Sequence, residues 1–266
     1  MLLKFDVCKP EVLLVIFLTF LTGPKVYGGD MSIRVVYNNI EHDKELTCSW
    51  GMGCVIEGME KTILFDTGGE GTVLLSNMER MGIGPEEIDI VVLSHIHGDH
   101  TGGLKTFLHA NPDVTVYLPK SFPSDFKRGV QGQGARIVEV SKPVEVFSGV
   151  YSTGELGTRI KEQALVFQSR DGLVIITGCA HPGIVVIPKE AVQIFDDDIY
   201  LIAGGFHLGG ASNGEIQRII GALKELGVQK IAPGHCTGER AITCFRNAWG
   251  CDFLDGGCGA CIDITR

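Results

Sequence analysis

The apolar segment Ile90–Leu93 runs into Ser94, and the next six residues are His95-Ile-His-Gly-Asp-His100. Three imidazoles and a carboxylate so closely spaced can face one point only if the chain leaves an extended segment and turns sharply. His95 and His97 share one side of that segment, because side chains alternate along it. Gly98 permits the turn, and Asp99 and His100 come round at the start of the next helix. Ile90–Leu93 is apolar throughout, so its strand is expected in the middle of a sheet. Imidazole and carboxylate suit zinc, iron or manganese, and the spacing does not choose among them.

Around this unit the pattern alternates between strands and helices. Strands are expected at Ile33–Tyr37, Gly53–Ile56, Thr62–Phe65, Val114–Leu118, Ile137–Val140, Val144–Phe147, Ala164–Gln168, Leu173–Thr177 and Ile199–Ala203, and Ile231 leads into Pro-Gly-His. Thr72–Met81 has helical apolar spacing and stops at Gly82, and Pro85-Glu86-Glu87 resembles a first helical turn. One helix is expected over His100–Ala110 and a last one over Ala241–Trp249. Ser212 and Glu215 form a capping box for a helix reaching about Leu226, before Gly227. No low-complexity linker interrupts the chain. The interleaving predicts an α/β protein of two packed sheets with helices outside, in one domain.

The 266 residues carry a net charge of −9, which disfavours nucleic acid as a partner. A small-molecule substrate is expected instead. Lys4 and Lys9 precede the apolar run Val12–Thr22, which suits a signal-peptide core and is short for a membrane span. Val26 and Gly28 are small residues at positions a signal peptidase reads. Residues 1–28 are therefore read as an export signal. The alternative is that translation starts at Met31, which would leave the protein in the cytoplasm. No later stretch is long enough to cross a bilayer. Nine cysteines are present. Cys244, Cys251, Cys258 and Cys261 crowd the C-terminus, where the reading is open between a zinc site, disulfides and free thiols.

The run Ser94-His-Ile-His-Gly-Asp-His-Thr-Gly-Gly-Leu104 resembles the signature of the metallo-β-lactamase superfamily, and Ile63-Leu-Phe-Asp-Thr-Gly68 resembles its strand end behind the metals. Gly178-Cys-Ala-His-Pro-Gly183, Gly204-Gly-Phe-His-Leu208 and Pro233-Gly-His-Cys-Thr-Gly238 resemble one branch, the metal-dependent hydrolases of β-lactamase superfamily II. Some members of that branch are named dihydropterin–ribofuranosylaminobenzene phosphate synthase. The resemblance covers residues 31–266. It implies a four-layer αββα sandwich, with one or two ions, zinc foremost and iron or manganese as alternatives, in a cleft at the sheet edges.

Carried over residue by residue, the resemblance makes His95 and His97 ligands of a first metal, and Asp99, His100 and His235 ligands of a second. His181 is the candidate for the remaining histidine, and Asp66 would hold a ligand or the metal loop in place. Many superfamily members place a bridging aspartate after Thr-Gly; here Thr177-Gly178 is followed by Cys179. Either Cys179 is a ligand, or His181 replaces the bridge, or the second site is weak or empty. His207 is a candidate ligand or proton donor. The implied chemistry is hydrolysis of an ester, lactone, amide or phosphodiester, with Asp99 orienting the nucleophile or taking its proton. Thr237 and Gly238 open the last helix, where backbone N–H groups could hold an anionic substrate group. The alternatives are a carbon–nitrogen coupling on a phosphorylated sugar, as the synthase name implies, and an iron-dependent oxidoreductase.

Overall fold

A computed structural model describes residues 31–264, so the leader read at residues 1–28 lies outside the described residues. The first half runs β1 (Met31–Asn38), β2 (Met52–Glu57), β3 (Ile63–Phe65), α1 (Gly71–Arg80), β4 (Ile90–Val92), α2 (Gly98–Thr101), α3 (Leu104–Ala110), β5 (Thr115–Pro119), α4 (Ser124–Gly132) and β6 (Arg136–Val140). The second half runs β7 (Val144–Phe147), β8 (Val150–Ser152), β9 (Leu165–Ser169), β10 (Gly172–Thr177), α5 (Val186–Phe195), β11 (Ile199–Gly205), α6 (Asn213–Glu225), β12 (Lys230–Gly234), α7 (Glu239–Trp249) and β13 (Cys261–Ile264). One sheet is ordered β13-β1-β2-β3-β4-β5-β6 and the other β12-β11-β10-β9-β8-β7.

The apolar strands explain the layering. In β4, Ile90 and Val92 enter the core between the sheets, while Val91 faces the helices of its own half. In β10, Val174 and Ile176 enter the same central core, and Leu173 and Ile175 pack under the other helices. Strands buried on both faces need no polar alternation, which is why they read as continuous apolar runs. Helices α1, α3 and α4 cover the first sheet, and α5, α6 and α7 cover the second. The order is helix, sheet, sheet, helix, the αββα sandwich. Among the described residues no helix is long and apolar enough to cross a membrane.

Several local expectations are corrected. The single helix over His100–Ala110 is two, α2 and α3. The His100 carbonyl accepts from the Thr67 N–H (2.8 Å) and from Thr67 Oγ1 (2.9 Å), and the Gly103 N–H donates to Gly68 (3.1 Å). The exit of β3 thus takes backbone groups that a continuous helix would use itself. Pro85–Glu87 forms one 3-10 turn and stops. Helix α5 is new; its Pro188 sits in the first turn, where the missing N–H has no helical partner to lose. β13 is also new. Its alternation places Ile262 and Ile264 in the central core and leaves Cys261 and Asp263 exposed.

Five strands point their C-terminal ends at one place. β3 and β4 run parallel in one sheet, and β10, β11 and β12 run parallel in the other. The loops leaving parallel strands at that end gather polar residues that need no place in the core. Gly178, just past β10, lets the two halves meet there. A Cβ at Gly178 would lie 2.1 Å from Ser94 Oγ and 3.0 Å from Asp66 Oδ2, both on the opposite half. Gly178→Ala is expected to lower stability by about 1–3 kcal/mol through overpacking, read from the midpoint of denaturant unfolding. A midpoint equal to the parent's would mean the sheet ends are not fitted this closely.

Candidate metal centre

The residues after β4, β10 and β12 bring two sets of metal-competent atoms together. His95 Nε2 lies 3.1 Å from His97 Nδ1, and His181 Nε2 lies 3.2 Å from that same nitrogen. Cys179 Sγ joins His95 and His181, with these ligand atoms all within 4.8 Å of one another. In the second set, His100 Nε2 is 3.1 Å from Cys179 Sγ and 3.3 Å from His235 Nε2. Asp99 Oδ2 is 3.3 Å from His235 Nε2 and 3.8 Å from His100 Nε2. Cys179 belongs to both sets.

Protons do not satisfy such a cluster. A proton on His97 Nδ1 can serve one of the two ring nitrogens that face it, whereas a cation between the three rings serves all of them. Burial of His95, reinforced by its histidine neighbours, pulls its pKa far below the ordinary value, so it stays neutral with its lone pair available. The donor chemistry therefore fits a transition metal in both sets: nitrogen, oxygen and one sulfur, held at strand ends.

Hydrogen bonds behind the rings fix which nitrogen is offered. Asp66 is fully buried just past β3. Its Oδ1 accepts the Ser94 N–H (2.7 Å), and its Oδ2 accepts Ser94 Oγ (2.6 Å). With its hydrogen given to Asp66, Ser94 Oγ can only accept from His95 Nδ1 (2.9 Å). His100 Nδ1 likewise donates to Asp66 Oδ2 (2.7 Å). His235 Nδ1 donates to Asn39 Oδ1 (2.7 Å). In all three rings Nδ1 carries the proton and Nε2 faces the centre.

The opposite half has its own brace. The fully buried Glu162 accepts the N–H groups of Cys179 (2.9 Å), Ala180 (2.8 Å) and His181 (2.8 Å). Its neighbour Gln163 donates from Nε2 to the Leu93 carbonyl (2.9 Å) and from its backbone to Ser94 (2.9 Å). One dipeptide thus grips both metal-facing loops. Asp66, Ala180, His207 and His235 all have φ between 47° and 59°, a left-handed conformation costly for non-glycine residues.

The structure brings together His95, His97, Asp99, His100, Cys179, His181 and His235, with Asp66 behind them. His207 is exposed at the mouth, its ring 4.4 Å from that of His181, and it forms a third group with Cys179 and Cys236. Thr237 is fully buried. Its hydroxyl donates to Gly234 (2.6 Å) and accepts the Phe206 N–H (3.1 Å), so it locks the turn after β12. Gly238 caps α7 against the backbone of Gly209. His42 and His109 are on the surface. The C-terminal cysteines do not converge on a metal site: no metal-competent group among the described residues includes them, and Cys258 is buried beside Asn77 while Cys261 is exposed. The eight cysteines among the described residues are free thiols. Sequence reasoning missed Glu162, Gln163, Asn39 and Cys236. Only Cys236 carried a signal, as the neighbour of His235.

The sequence pattern of the metallo-beta-lactamase superfamily matches residues 54–235. The 7,8-dihydropterin-6-methyl-4-(beta-D-ribofuranosyl)-aminobenzene-5'-phosphate synthase of Methanocaldococcus jannaschii is 32% identical over 252 residues, covering 76% of this chain and 86% of that one. The crystal structure of a metal-dependent hydrolase of the beta-lactamase superfamily superposes with a TM-score of 0.75 at 28% identity, covering 89% of this chain and all of that one. The metallo-beta-lactamase fold protein YhfI from Bacillus subtilis shares the fold, with a TM-score of 0.65 at 15% identity over 89% of this chain and all of that one. The matched pattern spans more than half of the sequence, two ligand sets stand at its strand ends, and the chain belongs to the metallo-β-lactamase superfamily.

Proposed function

We propose that the protein is a zinc-dependent hydrolase of a small molecule bearing an ester, lactone or phosphodiester group. The observation that carries this reading is the pair of donor sets sharing the Cys179 sulfur. Sulfur beside imidazole suits zinc or iron better than manganese, and a closed-shell ion suits hydrolysis. When bound, the metal ions supply Lewis acidity and bring water to ionisation near neutral pH.

The chain's own residues do the rest. His95, His97 and His181 would hold one ion, and Asp99, His100 and His235 the other, with the Cys179 thiol within reach of both donor sets. Asp99 is partly open to the cleft, with its side chain 23% exposed. It can therefore turn its free oxygen toward the attacking water and take its proton. His207, whose ring lies 4.4 Å from that of His181 at the mouth, would return a proton to the leaving group.

A second reading follows from the Methanocaldococcus jannaschii relative, which is named as a synthase. The same centre would then act as a Lewis acid in carbon–nitrogen coupling on a phosphorylated sugar. Product analysis separates the two: hydrolysis incorporates solvent oxygen into a product, and coupling joins two substrates.

Two outcomes test the metal assignment. His97→Ala and His235→Ala each remove one side of the centre, so each variant is expected to bind about half the zinc of the parent and to lose turnover of bis(4-nitrophenyl) phosphate. Full zinc stoichiometry in both variants, measured by elemental analysis, would sink the assignment. Asp66→Asn replaces an acceptor of His100 and Ser94 protons with an amide that cannot accept at both oxygen positions. It is expected to weaken zinc binding by roughly 10–100-fold, followed by competition with a chromogenic chelator. Parent-like affinity would mean that the tautomers are set elsewhere.

A further inference from the structure

Trp50 stands out from the chemistry above. It is 60% exposed, and only Val186 joins it as a large hydrophobic left in solvent among the described residues. An indole in water forgoes the stabilisation of burial, so its position calls for an occupant. Its backbone is fixed. A Cβ at the neighbouring Gly51 would lie 2.3 Å from the Asp99 carbonyl, so this segment is seated directly on the metal loop. The indole ring lies 5.0 Å from the His235 ring at an interplanar angle of 55°. The tryptophan is therefore held at a set distance from the second ligand set.

Trp50 is a wall of two cavities. One, of about 670 Å3, includes Asn39, Glu41, His235, Glu239 and Arg246; the other, of about 440 Å3, includes His207, Glu215 and Cys236. Both are of the size that takes a small molecule, and both touch the metal centre through Cys236. Arg246 is paired with Asp255 at 2.9 Å. The charged walls that remain are the carboxylates Glu41, Glu239 and Glu215, which accept from N–H donors and repel anions. A negative group on a ligand would thus be directed to metal held by the donor sets, and the rest of the ligand to the indole and the carboxylates.

We propose that Trp50 is a stacking platform that selects substrates with a planar aromatic or heteroaromatic ring bearing N–H donors, joined to the group held at the metal centre. The proposal rests on the metal-centre reading above. Ring-on-ring contact is the interaction an exposed indole face makes best, and it gives little to a methyl group.

Phenyl phosphate and methyl phosphate, titrated calorimetrically into the zinc-loaded protein, test it. Phenyl phosphate is expected to bind about tenfold tighter than methyl phosphate to the parent. That ratio should fall close to one in Trp50→Ala and be largely kept in Trp50→Phe, with zinc content unchanged in both. A parent without aryl preference, or a ratio that survives Trp50→Ala, overturns the platform. Loss of zinc together with the ratio would assign Trp50 to bracing His235 and also overturn it. The metal reading fails separately: binding of both phosphates that persists after zinc is chelated would sink that reading, while the ratio still judges the platform.

Discussion

The carboxylate of Asp66 is the interaction on which the centre depends. It has no exposure to solvent, and a buried carboxylate is costly unless its acceptors are filled. Here they are filled by the Ser94 N–H, the Ser94 hydroxyl and His100 Nδ1. The same bonds orient His95, through Ser94, and His100 directly. One carboxylate therefore prepares a ring in each ligand set. Its backbone N–H donates to Val92, which ties the end of β3 to β4 and keeps the carboxylate in register with the histidine run.

Glu162 plays the matching part for the other half. It gathers three consecutive N–H groups and so dictates the path of Cys179-Ala-His181. Burial pushes its carboxyl up, and the three N–H bonds pull against that shift. The left-handed backbone is held by hydrogen bonds rather than by glycine: Ala180 donates to Glu162, the Asp66 N–H to Val92, and the His235 N–H to Asn38 Oδ1. Strain is concentrated at the strand ends, where the side chains must turn inward, and the apolar strands behind them are regular.

Much of the centre was legible because its spacing is local. His95 to His100 reach one point within six residues, and strand periodicity explains how. The apolar runs at β4, β10 and β11 gave away the buried sheets for the same reason. What stayed hidden was set by contacts distant in sequence. Glu162 lies in no motif and acts on residues 17 to 19 positions later. Asn39 meets His235 across 196 positions. The break between α2 and α3 comes from Thr67, which competes for a carbonyl that helical spacing alone assigns to the helix. The crowded C-terminal cysteines drew attention as ligands, yet the alternation of Cys-Ile-Asp-Ile in β13 was the informative pattern.

Cys179 stands after β10, while His95 and His100 follow β4 in the opposite sheet. An ion held by these atoms would rivet two layers that otherwise adhere through the apolar core and a few hydrogen bonds, such as those from Gln163 to Leu93 and Ser94. Folding and metal uptake then draw on the same free energy: at a concentration a thousand times its dissociation constant, one such ion adds about 4 kcal/mol to the native state. Scarcity of such a cation would loosen the seam between the layers first at the rim where the donor atoms of both halves meet.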